Sequence, residues 1–154
     1  MFAKIEEMAG WTRNIVGEDR LSWLRTLPSA QICQDFALVH ASPGDCWRGP
    51  GAEAEDEELQ DRYGPMERST VVYGHIHHPY VRRIGQLTVA NSGSVGLPHD
   101  GDRRASYLII DDGEPRVRRV EYDFEREIAA LRGCGLPYAQ WVARTILKAS
   151  PQMP

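Results

Sequence analysis

Three short apolar runs in the middle of the chain each break into a polar turn, and that recurrence limits the folds open to it. Phe36-Ala37-Leu38-Val39 ends at His40 and is broken by Pro43-Gly44. Val71-Val72-Tyr73 runs into Gly74-His75-Ile76-His77-His78-Pro79, and Val89-Ala90 runs into Asn91-Ser92-Gly93-Ser94-Val95-Gly96. Runs this short, bounded by Gly, Pro and Asn, read as buried strands. The spacing predicts strands at Phe36–Val39, Thr70–Tyr73, Gln86–Ala90 and Ser106–Asp111. Asp112-Gly113 is a turn signal, and Pro115–Tyr122 reads as the returning arm of a hairpin.

Helical periodicity lies on both sides of this block. Phe2, Ile5, Met8, Trp11 and Ile15 follow one helical face, and Leu21, Trp23, Leu24 and Leu27 follow another before Pro28. Phe124–Arg132 and Tyr138–Ala149 are the C-terminal helical segments, parted by Gly133-Cys134-Gly135-Leu136-Pro137. Glu53–Tyr63 is acidic and predicts a short solvated helix. Central strands with helices at both ends predict a layered α/β (α+β) fold, with one domain over residues 1–154.

Composition removes several function classes. A chain of 154 residues with 42% hydrophobic and 26% charged residues can build a core. Its formal net charge of -4 gives no broad basic field, so nucleic acid is not the expected partner. Cys33, Cys46 and Cys134 form no C-x-x-C pair, which predicts reduced thiols in the cytoplasm. No apolar run reaches the length of a membrane span, and no signal-peptide pattern is present.

The chemistry resides in the turns. Strand ends are favoured positions for functional groups, because the sheet fixes them while the loop leaves them accessible. On extended backbone, His75 and His77 at i and i+2 would point to one side and Ile76 to the other. His78 has the opposite parity. Neutral imidazole suits zinc, manganese, iron or nickel. The glycine-rich turn after Asn91 either aims backbone N–H groups at an anion or simply bends the chain; it is neither a Walker A loop nor a dinucleotide fingerprint.

Taken in order, Val39-His40-Ala41-Ser42-Pro43, Gly74-His75-Ile76-His77 and Asn91-Ser92-Gly93-Ser94-Val95-Gly96 resemble the C-terminal half of the calcineurin-like metallophosphoesterases, in their small bacterial phosphodiesterase branch. The likeness continues through Asp100-Gly101-Asp102-Arg103-Arg104-Ala105-Ser106-Tyr107 and back to Trp11-Thr12-Arg13 and Leu24-Arg25-Thr26-Leu27-Pro28. It implies part of an α/β/β/α sandwich without its N-terminal strands and helices. It also implies hydrolysis of phosphomonoesters or phosphodiesters at a two-metal site, with a small-molecule phosphoester or nucleotide as substrate. In such a site His40 and His75 would ligate one divalent transition ion (Mn, Ni, Fe or Zn) and His77 the other, with Asn91, Ser92, Gly93 and Ser94 shaping the adjoining loop.

The D-x-H and G-N-H-D motifs of that family are absent, and Gly44-Asp45 and Gly101-Asp102 lack the context of its G-D motif. Three neutral imidazoles do not balance two dications. The expectation is therefore at most one weakly held ion and little hydrolysis by the chain alone. Three accounts stand: a fragment of a complete phosphoesterase, a natural half pairing with an N-terminal polypeptide or with itself, and a non-catalytic scaffold with a degenerate site.

Overall fold

Thr70–Tyr73 is buried along its whole length because it lies at the centre of a sheet covered on both sides. In the computed structural model, which describes residues 2–152, five strands form this sheet. They are β1 (Ala30–Cys33), β2 (Phe36–Val39), β3 (Thr70–Tyr73), β4 (Tyr80–Ile84) and β5 (Leu87–Asn91). Their spatial order is β1-β2-β3-β5-β4. The central β2, β3 and β5 run parallel, with Val39 beside Tyr73 and Tyr73 beside Asn91. β1 and β4 are antiparallel edge strands. A separate two-stranded hairpin joins β6 (Ala105–Asp111) to β7 (Glu114–Val120).

Parallel central strands should read as continuous apolar runs, and β3 and β5 do so because both of their faces are covered. β4 instead alternates, with Tyr80, Arg82 and Ile84 partly buried and Val81 and Arg83 exposed. Arg82 is not a free basic patch. Its guanidinium donates to the carbonyls of Ala52, at 2.7 Å, and Ala54, tying the loop that precedes the helix Asp56–Tyr63 to the sheet edge.

The helices are α1 (Phe2–Val16), α2 (Glu18–Arg25), α3 (Asp56–Tyr63), α4 (Phe124–Gly133) and α5 (Ala139–Lys148). Leu59 and Tyr63 of α3 are fully buried against Ala37, Val39, Val71, Tyr73 and Val89. The short acidic helix thus exposes its acidic face to solvent and buries the opposite side through Leu59 and Tyr63. A second core brings Ile128 of α4 to Ala143 and Ile146 of α5, with Leu97 packed against it. Asp123 caps α4 by accepting from the Arg126 N–H at 2.9 Å. α1 and α2 hold no buried residue.

Candidate functional site

The C-terminal ends of β2, β3 and β5 lie side by side and deliver His40, the His75–His77 turn and Asn91 to one edge of the sheet. Ladder bonding continues past the strands, since the Gly74 N–H donates to the His40 carbonyl at 2.9 Å. The His40 and His75 rings meet edge to face, with centroids 5.3 Å apart.

The extended geometry expected for His75 and His77 is not adopted. Their φ angles are 64° and 58°, so both occupy the left-handed region. For a residue with a Cβ this conformation costs roughly 1–2 kcal/mol and persists only where the surroundings enforce it. The Ile76 N–H donates to the Gly74 carbonyl at 2.7 Å, which closes the turn tightly. Ile76 still packs onto the main core, as expected, but the two imidazoles contact different neighbours. His75 faces His40, whereas His77 lies against His99, with ring centroids 4.7 Å apart and planes inclined by 34°. His77 Nδ1 is 2.8 Å from the Leu97 carbonyl. A carbonyl only accepts, so Nδ1 carries the hydrogen, and the lone pair of the neutral ring is on Nε2.

Asn91 is fully buried and links two of the loops. Its Nδ2 donates to the Gly74 carbonyl at 2.6 Å, and its Oδ1 accepts from the Gly93 N–H at 2.9 Å. Gly93 has φ +71°, and a Cβ there would lie 2.8 Å from Ser106 Oγ and 2.9 Å from Pro79. Only glycine fits. Ser106 donates through Oγ to the Ser92 carbonyl at 2.8 Å and through its N–H to the Ser94 carbonyl at 2.9 Å. Ser94 Oγ accepts from the Leu97 N–H at 2.9 Å. In this structure Asn91, Ser92, Gly93 and Ser94 hold the turn in shape through their own bonds.

On the other flank, Tyr63 donates to the Ala41 carbonyl at 2.6 Å, and Tyr73 donates to the Pro50 carbonyl at 3.0 Å. Burial pushes the Tyr63 and Tyr73 hydroxyls far above the ordinary tyrosine range, so both stay protonated donors. Asp45 accepts from the backbone N–H groups of Trp47, at 2.7 Å, and Arg48, at 3.1 Å. Those bonds, the Trp47 one first, hold its carboxyl below the ordinary aspartate value.

Partial burial, followed by the nearby His75 and His77, lowers the His40 pKa and favours its neutral form. His99, which sequence reasoning passed over, is lowered by burial and then by His77, against the opposing hydrogen bond of the Ile76 backbone and the charge of Asp100. Neutral imidazoles are the protonation state that ligates metal. Among the described residues, however, no three His, Cys, Asp or Glu side chains gather closely enough to hold an ion.

A family model described as the calcineurin-like phosphoesterase superfamily domain matches residues 12–113. An uncharacterized protein of Methanocaldococcus jannaschii, MJ0912, is 26% identical over 161 aligned positions, covering 88% of this chain and 62% of that protein. The crystal structure of a metallophosphoesterase from Sphaerobacter thermophilus superposes with a TM-score of 0.75 at 24% identity, covering 90% of this chain and 66% of that one. The hypothetical protein PH1004 of Pyrococcus horikoshii OT3 gives a TM-score of 0.77 at 18% identity, covering 90% of this chain and 57% of that one. The chain thus spans less than two thirds of the length of these relatives.

Proposed function

Because the chain belongs to the calcineurin-like phosphoesterase superfamily, we propose that it supplies the histidine side of a metal-dependent phosphoesterase site. His40 and His75 would hold one divalent transition ion and His77 would serve the second. Asn91 with Ser92, Gly93 and Ser94 would keep the adjoining loop in register. The edge-to-face placement of His40 and His75 at neighbouring parallel strand ends carries this proposal. An ion held there supplies Lewis acidity toward a phosphoryl oxygen. The substrate class is a small-molecule phosphoester or nucleotide.

The residues fit one ion in part and do not fit a two-ion centre. Imidazole is a suitable donor for Mn, Ni, Fe or Zn. Yet the described residues bring no carboxylate into a three-ligand group with the histidines, and two dications need anionic ligands. We therefore assign the missing carboxylates to groups outside the described residues, in further sequence of the same protein, in a second polypeptide or in a second copy of the chain. The chain itself, residues 1–154, would act as one domain in the cytoplasm with Cys33, Cys46 and Cys134 reduced. Exposed Trp23, Leu24, Leu27, Ile32 and Leu38 offer apolar surface for such a partner. Among the described residues, no helix is long and apolar enough to cross a membrane.

A non-catalytic binding module is the second reading, favoured by the turns bonding to themselves and by the engagement of the His77 ring with Leu97 and His99. Calorimetric titration with Mn²⁺ or Ni²⁺ and hydrolysis of a chromogenic phosphodiester separate the two. The expected result is one weakly bound ion, and weak hydrolysis that His75→Ala abolishes. Hydrolysis that survives His75→Ala would remove the site. Stoichiometric binding of two ions would overturn the incomplete donor set, and no binding at all would favour the scaffold.

A further inference from the structure

The segment Leu97–Gly101 follows the glycine-rich turn and reaches both the histidine loop and the C-terminal helices. Its first residue faces two ways. The Leu97 side chain packs on the core formed by Ile128, Ala143 and Ile146, while its carbonyl accepts from His77 Nδ1 at 2.8 Å. At the far end, the Gly101 N–H donates to the Ala149 carbonyl at 2.8 Å, so α5 fixes the segment from that side too. Between these anchors the His99 N–H donates to the His77 carbonyl at 3.0 Å, and the His99 ring lies against the His77 ring. His77 is thus gripped at three places: its ring nitrogen, its ring face and its backbone.

We propose that His99 is a positioning residue that holds the His77 ring against the Leu97 carbonyl and so reserves Nε2 for ligation. The need for such a grip follows from the backbone. His77 sits at φ 58° in a turn whose neighbouring histidine is also left-handed, so local preference does not set its ring plane. One hydrogen bond fixes one ring atom and leaves the plane free to swing; contact across the face removes that freedom. A free histidine side chain favours the Nε2–H tautomer, and Leu97 with His99 would invert that preference. Partners that fix the tautomer and orientation of a ligating histidine change metal affinity by about 10–100-fold. The ligand role of His77 rests on the proposed phosphoesterase site; the tautomer does not.

The test is two-dimensional ¹⁵N–¹H correlation of the imidazoles in the metal-free full chain, at a pH where they are neutral. Wild type should show His77 with hydrogen on Nδ1. His99→Ala should shift it to a mixture of tautomers, and His99→Phe, which keeps the ring contact, should restore the wild-type pattern. Nickel titration of the same proteins should show affinity falling by about 10–100-fold in His99→Ala and recovering in His99→Phe. A wild-type His77 with hydrogen on Nε2 overturns the proposal even if a variant fails to fold. An unchanged tautomer in His99→Ala overturns the role of His99. Loss of nickel binding in every protein, with the tautomers behaving as stated, supports the positioning role and sinks only the ligand assignment.

Discussion

The strand ends around His40, His75 and Asn91 and the N-terminal helix pair are built on opposite terms. At the strand ends, every residue of β3 and β5 is buried, and Tyr63 and Tyr73 are fully enclosed with their hydroxyls bonded. In α1 and α2 no residue is buried, and Phe2, Ile15 and Trp23 are 83%, 65% and 60% exposed. Periodicity gives a helix its apolar face, but most of its stability comes from packing that face against a surface. The first region is therefore supported from within the described residues, while the second leaves its apolar side chains exposed among them. The largest effect should separate them. Tyr73→Ala should lower stability by about 3–5 kcal/mol in urea denaturation, as expected for emptying an aromatic core position. Trp23→Ala should change it by no more than about 0.5 kcal/mol. If the Trp23 variant is as damaged as the Tyr73 variant, the helix pair is already covered in solution, and sedimentation would show the species responsible.

Two glycines sharpen the contrast by giving opposite signs. Gly93→Ala puts a Cβ into Pro79 and Ser106 at a left-handed φ and should destabilise the chain by about 2–4 kcal/mol. Gly10 lies inside α1 with open space around it, so Gly10→Ala should stabilise by up to about 1 kcal/mol through helix propensity. Paired thermal melts decide this. Destabilisation by Gly10→Ala would mean that α1 packs against something closely.

Asn91→Ala comes next in size. It leaves the Gly74 carbonyl and the Gly93 N–H without their side-chain partner in a partly buried setting, at a cost of about 1–3 kcal/mol. Because those groups flank the histidine turn and the glycine turn, the His75 and Gly93 amide resonances should move as well. Unshifted resonances would mean that the two loops hold their shape without Asn91.

The regular parts of this contrast were legible in the sequence. β2, β3 and β5 announce themselves as apolar runs because they are central, and Asp112-Gly113 marks the β6–β7 hairpin. Both helix pairs follow their period. β1 and β4 were missed because edge strands mix exposed and polar residues, as in Gln31 and in Arg82-Arg83. The buried side of α3 was within reach, since Leu59 and Tyr63 stand four residues apart in an otherwise acidic run. At the site, His40, His75 and Asn91 were identified by lying at strand ends. The left-handed backbone of His75 and His77 was not, because the contacts that accompany it come from Asn91, Leu97 and His99 elsewhere in the chain. His99 itself carries no local signal. It follows a proline and precedes an aspartate in a loop, and only the fold sets it beside His77.

The smallest effect concerns charge, and it divides the two regions again. Asp102 follows the segment that holds His77 and pairs with Arg104 at 2.6 Å and Arg119 at 3.5 Å. The Arg104 side chain first, its backbone N–H next and Arg119 after them hold the Asp102 carboxyl well below the ordinary aspartate range. A depressed folded-state pKa means that the unfolded chain takes up the proton first as pH falls. The stabilisation is therefore complete above the unfolded value of about 4 and fades as pH drops below it. With partial solvent screening it should amount to about 1 kcal/mol or less. Asp102→Asn should thus be less stable than wild type at pH 7, with the gap closing on acidification below about pH 4. On α2 the Glu18–Arg25 pair is open to solvent on both sides, so Glu18→Gln should leave the same curve where it was. A gap for Asp102→Asn that persists at low pH would show that the aspartate matters through the shape of its loop rather than through its charge.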